Sequence, residues 1–585
     1  YKLKQQNFMA NSKQYVIIKF MRFLIILTLL FITDLQADEV ADINIRQQTD
    51  QNIQRQNRNL NQATPFQGGA KINTQTKQLQ IDEENIGRCF TFTSIEISGN
   101  TIISQKKIKA ITSKYLNKCI AISIAQEYLL EEIVNLYQKD GYILAVPYLP
   151  EQNLTTGVLK IIIAEGILED IEFDSDILPK RVVNMAFFGM RGKIINIRHL
   201  EQALENLNKF GAVSVNMDLK PGNSVGSSIL VLRAEKQQQF NANVRYDNEY
   251  NSLAYLSFPN VDNHKLSTSL SYAHLLGNDN LMLNANTTLI TNNGNNQQGS
   301  LGVSYAVPFG FWDFIYNINY DISRNVSRMI YDDYVIRTSS ITTSMDIKRT
   351  LARGQQYILK AIARPNYYTT DTYLDDIRTA AGYELYFLDL GLEYQYFSQK
   401  FIVYSNLTYT RGQPLFGLEK QGRENNQYLM IPQNMFDIGK LIVNTTIPIT
   451  NKVYYTNKSS AQYSSDILYT INDFIVVSPN GVRGYEGVYA NYNSGFVSQN
   501  DINVVLFNFS NQYINGISTN LGFDAGAAID GYNGKITHDK VLMGWALGVK
   551  TNGKIELALS YARPINHIYI PKNHEVIKFS MSMSL

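Results

Sequence analysis

The chain has 585 residues, and its 53 lysines and arginines nearly balance its 51 aspartates and glutamates, for a formal net charge of +2. This balance argues against nucleic acid or a strongly charged surface as a partner. Mean hydropathy is −0.19, a value that a soluble protein shares with a membrane barrel, because the two faces of a barrel average out.

The segment that begins at Met21 has the form of a secretory signal. A run of about a dozen apolar residues follows and ends near Ala37, a small residue suited to cleavage. The run is too short for a membrane-spanning helix, which takes ~20 apolar residues, and no other stretch of the sequence approaches that length. We therefore expect residues 1–37 to be an upstream extension and a signal peptide, with Met21 as the true start and Met9 as the alternative. The mature chain is then exported.

Residues 38–62 are dominated by Gln, Asn, Asp and Arg. Ile45, Ile53 and Leu60 can share one face of a helix, but such a helix has too little apolar surface to fold alone. By themselves these residues favour a disordered polar leader. Residues 63–87 contain proline and glycine and are expected to form a linker.

Two units with the same order of elements follow, at 88–165 and 166–236. In the first, the pattern predicts a strand at 90–97, helices at 104–116 and 123–139, and strands at 142–149 and 157–163. In the second, it predicts a strand at 167–173, helices at 178–188 and 197–210, and strands at 212–219 and 227–235. Leu200, Leu204 and Leu207 mark the buried face of the last helix. A repeated βααββ unit of about 75 residues indicates tandem α+β modules.

The first unit contains the only two cysteines of the sequence, Cys89 and Cys119. In an oxidising compartment, two cysteines favour a disulfide over a metal site, which needs more ligands. The disulfide closes a loop of about 30 residues and is expected to stabilise the fold by roughly 3–4 kcal/mol if it is unstrained.

From residue 237 to 585, about sixteen runs alternate apolar and polar residues. In the first run, Phe240, Val244 and Tyr246 share one face, so each run is predicted to be a strand with one apolar and one polar side. A soluble sandwich has the same period. However, the number of runs and their Tyr-, Phe- and Leu-rich faces favour a transmembrane β-barrel of about 16 antiparallel strands. The longest irregular segments are 412–436 and 472–500.

Two short motifs of the barrel are Val482-Arg483-Gly484-Tyr485, in the outer segment 472–500, and Phe523-Asp524-Ala525-Gly526, on a later strand. Gly484 allows a tight backbone, and the planar fork of Arg483 can bind a carboxylate through two hydrogen bonds. Asp524 alternates with apolar neighbours and therefore faces the lumen. We expect the loop to fold into the barrel and to place Arg483 on Asp524.

These motifs, in this order, resemble the superfamily of barrels that carry periplasmic POTRA modules. The resemblance is closest to the two-partner secretion transporters of the haemolysin secretion/activation family. It extends over residues 38–585, and in the modules it rests on Gly141-Tyr142, Pro147 to Gln152, Gly157 to Leu159, Glu165-Gly166, Asn196 to Asn208, Pro221-Gly222 and Gly226-Ser227. The terminal Leu585, where outer-membrane barrels usually have Phe, and the weakly amphipathic leader depart from the family pattern.

The resemblance implies a translocator in the outer membrane of a Gram-negative bacterium. It implies that the POTRA modules recognise an unfolded haemolysin- or adhesin-like exoprotein in the periplasm, and that the barrel pore exports it. A barrel assembly factor of the same superfamily and a passive porin are the alternatives. The implied partners are the exoprotein, outer-membrane lipid and the barrel assembly machinery. The resemblance also favours a plug helix in the barrel at 38–62 over the disordered leader.

The sequence has no convincing enzyme site. Its histidines lack ligand spacing, and no phosphate-binding glycine loop or nucleophile elbow is present. The segment 524–530 loosely resembles a calcium loop but lacks the alternating acidic ligands and the final Glu. We therefore expect no catalytic residue, no metal and no cofactor.

Overall fold

The structure is a computed structural model. It describes residues 89–224, 226–248, 264–288, 297–328, 333–379, 382–416, 418, 432–477, 481–485, 491–511, 513–529, 541–566 and 574–584. The predicted signal, leader and linker at 1–87 lie outside the described residues, as do Leu585 and parts of both long irregular segments. None of the helices in the described ranges is long and apolar enough to cross a membrane.

The first module is a three-stranded sheet packed against helices. Its main strands are Ser94–Ser98, Val158–Ala164 and Val146–Tyr148, in that spatial order. Its helices are Gln105–Thr112, a continuous helical run from Ile122 through Lys139, and short 3₁₀ turns at Ser113–Tyr115 and Leu154–Thr156. The predicted βααββ order is therefore confirmed.

One predicted strand of the first module, 90–97, is divided in the structure. Cys89–Thr91 pairs with a short strand that the pattern missed, Cys119–Ala121, whereas Ser94–Ser98 joins the main sheet. The division occurs because the chain changes partner at Phe92, whose side chain is fully buried in the module core.

A second predicted strand, 142–149, is shortened to Val146–Tyr148. The preceding helix ends in a turn at Gly141, which has φ of +94°. The N–H of Tyr142 still bonds to the carbonyl oxygen of Tyr137 at 2.9 Å, so the backbone at 142 belongs to the turn and the strand begins only at Val146.

The two cysteines lie on the paired short strands of the first module. A disulfide joins Cys89 to Cys119, whose Cα atoms are 5.3 Å apart. It ties the start of the described chain to the segment between the two helices.

The second module repeats the arrangement. Its strands are Ile167–Glu172, Ser227–Lys236 and Val213–Pro221, in that spatial order, and its helices are Lys180–Ala186 and Ile197–Asn208. Leu200, Leu204 and Leu207 lie in the core, as their spacing predicts.

A closed barrel of 16 antiparallel strands follows, which confirms the predicted fold. Its strands are Phe240–Asp247, Lys265–Ala273, Asn280–Thr288, Gln297–Phe309, Trp312–Arg328, Asp333–Arg353, Tyr357–Leu374, Tyr383–Phe397, Ile402–Gly412, Asp437–Pro448, Val453–Tyr463, Ser494–Asn508, Gly516–Ile529, Val541–Asn552, Ile555–Pro564 and Val576–Ser584. The last strand pairs with the first and closes the wall. Each strand pairs with the next in sequence, so the connections alternate between the module side and the outer side.

The two faces of the wall differ as the alternation predicts. Leu521 and Phe523 point outward and are about half exposed, whereas Asp524, which follows Phe523, is fully buried on the inner side. The inner face also carries a network of buried charges, which includes the ion pairs of Lys348 with Glu393 and of Arg364 with Asp346. Charged groups on the inside and apolar groups on the outside fit a barrel in lipid.

The connection that carries Arg483 joins the eleventh and twelfth strands and is the sixth on the outer side. It runs from 464 to 493, so the predicted segment 472–500 was placed too late. The boundary was missed because the usual alternation of apolar and polar residues is interrupted at the start of the next strand. Val497 faces the loop inside and is buried, while Ser498 and Asn500 lie on the opposite face.

Candidate functional site

The sixth outer loop folds into the barrel and has its own apolar core. A two-stranded ladder, Phe474–Ile475 with Asn491–Tyr492, closes its base. Buried loop and wall residues pack together: Phe474, Val476, Val477, Val482, Tyr485, Val497, Ala528 and Leu542. This core brings the predicted motif at 482–485 against the inner wall.

The side chain of Arg483 binds Asp524 through two parallel hydrogen bonds. Nε donates to Oδ2 at 2.6 Å and Nη2 donates to Oδ1 at 2.7 Å. The backbone N–H of Arg483 also donates to Oδ2, at 3.1 Å. The side chain of Asp524 is 0% exposed and that of Arg483 is 16% exposed, so the pair is largely shielded from water. Charge-assisted bonds of this two-pronged kind are among the strongest in proteins.

A second carboxylate, which the sequence reasoning missed, completes the arginine site. Oδ1 of Asp501 lies 3.0 Å from Nη1 of Arg483 and accepts from Nδ2 of Asn520 at 2.9 Å. Its position on the inner face of the twelfth strand was the available signal, but the predicted loop boundary at 500 obscured the register. The guanidinium therefore lies between two carboxylates.

Glycine residues in the barrel wall leave room for the loop. A Cβ at Gly522 would overlap Nη2 of Arg483, and a Cβ at Gly544 would overlap the carbonyl oxygen of Arg483. Gly484 has φ of +93°, a conformation that suits glycine, and lies against the backbone of Arg563. The loop thus lies flat against a strip of bare backbone.

Tyr485 forms a second anchor. It is fully buried, and its hydroxyl lies 3.0 Å from the carbonyl oxygen of Met543 and 2.5 Å from that of Asn566. The side chain of Asn566 in turn accepts from the N–H of Met543 and donates to the carbonyl oxygen of Val541. This anchor joins the sixth loop to the connection before the last strand. The sequence gives no signal for the role of Asn566.

The remaining predicted residues of the motifs line the wall or the loop core. Val482 is fully buried, and a Cβ at Gly526 would lie 2.9 Å from its Cγ2 atom. Phe523 points away from the loop, on the outer face of the barrel, and is 48% exposed. The structure therefore brings Gly526 to the loop and leaves Phe523 on the outer, lipid-facing surface.

Family comparisons bear on this arrangement of loop, barrel and modules. The model of the haemolysin secretion/activation protein ShlB/FhaC/HecB matches residues 226–551, more than half of the chain. The chain belongs to this family. The ShlB-type POTRA domain matches 90–166, and a further POTRA domain matches 167–221.

Named relatives of this transporter cover most of its length. The outer membrane transporter CdiB of Dickeya dadantii (strain 3937) is 26% identical over 432 residues, which are 73% of this chain and 74% of that protein. The hemolysin transporter protein ShlB of Serratia marcescens is 22% identical, over 71% and 72% of the two chains. The solved structure of CdiB from Escherichia coli has the same fold, with a TM-score of 0.80 at 22% identity over 94% and 99%. The protein is thus an outer-membrane transporter of the two-partner secretion type, with its POTRA modules in the periplasm.

The second POTRA module of the transporter packs against the periplasmic turns of the barrel. Nδ2 of Asn206 donates to the carbonyl oxygen of Gly310 at 2.7 Å, and Lys209 pairs with Asp313 at 2.5 Å. The ring of His199 lies 4.9 Å from that of Phe311, centroid to centroid. Burial in this contact lowers the pKa of His199, because the charged imidazolium loses water there.

The junction between the two modules uses residues that carried the family resemblance. The N–H of Ile197 bonds to the carbonyl oxygen of Gly141 at 2.9 Å, and Nδ2 of Asn196 donates to that of Asp140 at 3.0 Å. Nearby, burial alone would raise the pKa of Glu165, but hydrogen bonds from Thr101 and its neighbours outweigh burial and lower it. The two modules are therefore held together through fixed polar contacts.

Proposed function

We propose that this transporter recognises an unfolded partner protein by strand addition to the second POTRA module and passes it through the barrel pore. The observation that carries the proposal is an open backbone edge in the second module, next to the barrel. An extended chain can add a strand to such an edge through main-chain hydrogen bonds and needs little sequence specificity to do so.

The corresponding edge of the first module is a poor acceptor. The side chain of Gln152 bonds to both the N–H and the carbonyl oxygen of Lys160, at 2.7 and 2.8 Å, and so occupies the place of a continuing strand. The backbone of Lys160 therefore faces the strand Val146–Tyr148. Because the backbone groups of successive residues point to opposite edges of a strand, those of Pro147, in the middle of Val146–Tyr148, point to the open edge. Proline has no N–H to offer there. An edge strand of three residues with a central proline can form few hydrogen bonds with an added strand.

The edge of the second module is longer and better exposed. Nδ2 of Asn208 donates to the carbonyl oxygen of Val215 at 3.0 Å, and Oδ1 accepts from its N–H at 2.8 Å. The backbone groups of Val215 therefore point to the open edge of the sheet, away from the neighbouring strand. By the same alternation, the backbone groups of Met217 and Leu219 face outward as well. Within the described part of the chain no other strand pairs with this edge. Asn208 ends the open edge on one side, and Pro221 ends it on the other.

Proline and alanine substitutions at the same positions isolate the backbone contribution. Met217→Pro and Leu219→Pro each remove one outward N–H, while Met217→Ala and Leu219→Ala remove the same side chain and keep the N–H. A strand hydrogen bond contributes about 1 kcal/mol, so each proline variant should weaken binding of the partner's unfolded N-terminal region by roughly fivefold relative to its alanine control. Equal binding by the proline and alanine variants, measured on full-length transporter in nanodiscs, would exclude this edge as the docking site.

We propose further that the Arg483–Asp524 pair holds the sixth loop in its folded position during transport. The support is the burial of the pair, the second carboxylate at Asp501 and the glycine strip that receives the loop. The pair lies in the lumen through which the partner passes. In the periplasm, where ATP is absent, folding of the partner outside can bias its movement outward. The barrel assembly machinery is the expected insertion factor, and outer-membrane lipid the expected surroundings.

A further inference from the structure

We propose that the second POTRA module touches the inner leaflet of the outer membrane, with Phe188 as an apolar anchor and a set of basic side chains as contacts for anionic phospholipid. The contact is independent of partner binding and fixes the module at the membrane surface. Its basis is the continuity of Phe188 with the lipid-facing wall of the barrel.

The lipid-facing wall extends to the position of Phe188. On the fourth strand, Val303, Val307 and Phe309 alternate with buried residues and share the outer face. Phe309 is the last of this row, at the periplasmic end. The ring of Phe188 lies 4.5 Å from the ring of Phe309, centroid to centroid. Phe188 therefore adds one more aromatic ring to the outer surface, contributed by the module rather than by a strand.

The neighbouring residues have the character of a membrane interface. Trp312 pairs with Phe309 across the turn, and the guanidinium of Arg349 lies 5.0 Å from the Trp312 ring. Aromatic rings with nearby basic side chains are typical of the level where the lipid headgroups begin.

Packing within the module does not explain why a large aromatic side chain stands at position 188. Its neighbour Phe187 is buried in the module core, whereas Phe188 is 61% exposed. In the adjoining periplasmic turn, Leu276 is 67% exposed. A protein rarely leaves large apolar side chains this exposed in one region unless another surface covers them. Lipid is the surface that the adjoining wall already meets.

The charge around Phe188 fits an anionic leaflet. Residues 180–193 contain Lys180, Arg181, Arg191 and Lys193 and no acidic residue. Asp170 is 3.3 Å from Arg191, but both side chains are well exposed and the pair is weak. Burial and, to a smaller extent, the positive charge of Arg181 lower the pKa of His274, which lies in a periplasmic turn. Basic side chains beside an exposed aromatic ring are the arrangement by which interfacial segments bind anionic lipid.

Lipid contact can be measured with an environment-sensitive probe on the full-length transporter in nanodiscs. Because the two native cysteines form a disulfide, a cysteine introduced by Phe188→Cys accepts a nitrobenzoxadiazole label selectively. Val303→Cys on the lipid-facing wall is the positive control. Asn216→Cys, on the exposed strand face of the same module, is the negative control. Nitroxide-labelled phospholipid then serves as the quencher.

We expect the probe at 188 to emit at shorter wavelength than the probe at 216 and to be quenched several-fold more strongly, close to the level at 303. Replacing phosphatidylglycerol in the nanodisc by neutral phosphatidylcholine should reduce the quenching at 188 and leave that at 303 unchanged. Quenching at 188 no stronger than at 216 would overturn the membrane contact. Quenching independent of lipid charge would overturn the role of the basic side chains. Neither outcome depends on partner binding, so both are separate from the test of the strand edge.

Discussion

Replacing Arg483 by Ala should release the sixth loop while the barrel stays folded. The substitution removes both side-chain bonds to Asp524 and leaves that carboxylate buried at 0% exposure beside Asp501. Breaking a buried pair in this way costs on the order of 3–5 kcal/mol. The hydrogen bond from the backbone N–H of residue 483 to Asp524 is retained in the variant. The expected loss of free energy for keeping the loop closed is therefore near the lower limit, about 3 kcal/mol.

A buried thiol reports the opening of the loop. Val482 is fully buried, and Val482→Cys changes its volume little, so modification of the thiol requires the loop to open. A loss of about 3 kcal/mol corresponds to roughly 150-fold faster modification in the Arg483→Ala background. Secretion of the partner protein should collapse in the same background. Arg483→Lys should be intermediate, because an ammonium group lacks the planar fork.

A matched control and a double-mutant cycle decide the interpretation. The pair of Arg411 with Asp437 has the same chemistry at 3.3 Å, but its side chains are 50% and 35% exposed. Arg411→Ala should therefore destabilise the folded structure by less than about 1 kcal/mol. In the cycle between Arg483 and Asp524, the double variant should be much less destabilised than the sum of the single variants. Additive effects would show that the two residues act separately, and would rule out the proposed role of the pair in holding the sixth loop.

Three further outcomes are expected. Gly522→Ala should displace Arg483 and impair secretion, whereas Gly439→Ala should not, because a Cβ at Gly439 meets no atom within 4 Å; equal secretion by both variants would contradict the need for bare backbone. Deletion of residues 38–62 should raise the conductance of the pore in planar bilayers and retain secretion, and unchanged conductance would favour the disordered leader. Burial lowers the pKa of His199, so contact between module and barrel should be constant above the ordinary histidine pKa of about 6.5 and weaken as the pH falls below it. Crosslinking across that contact at several pH values tests this, and His199→Gln should remove the dependence.

Local patterns predicted most of the architecture. Alternation in 237–585 predicted about sixteen strands, and Asp524 was assigned to the lumen because its parity is opposite to that of the apolar Leu521, Phe523 and Ala525. Such inferences succeed because the direction of a strand side chain depends only on its position in the strand. The expectation that inward residues are polar failed at 494–500, where the infolded loop covers the inner wall and an apolar residue, Val497, faces inward.

The sequence by itself determined the family, the order of the modules and barrel, and the candidate pair of Arg483 and Asp524. Tertiary structure decided that Asp501 is the second carboxylate and that Asn566 receives Tyr485, 81 positions away along the chain. It also decided which module edge is open, through Asn208 and Gln152. Contacts of this kind depend on strand register, on the gaps that glycine leaves in a wall and on the path of a folded loop. All three are set by pairing between distant segments, which no local periodicity records.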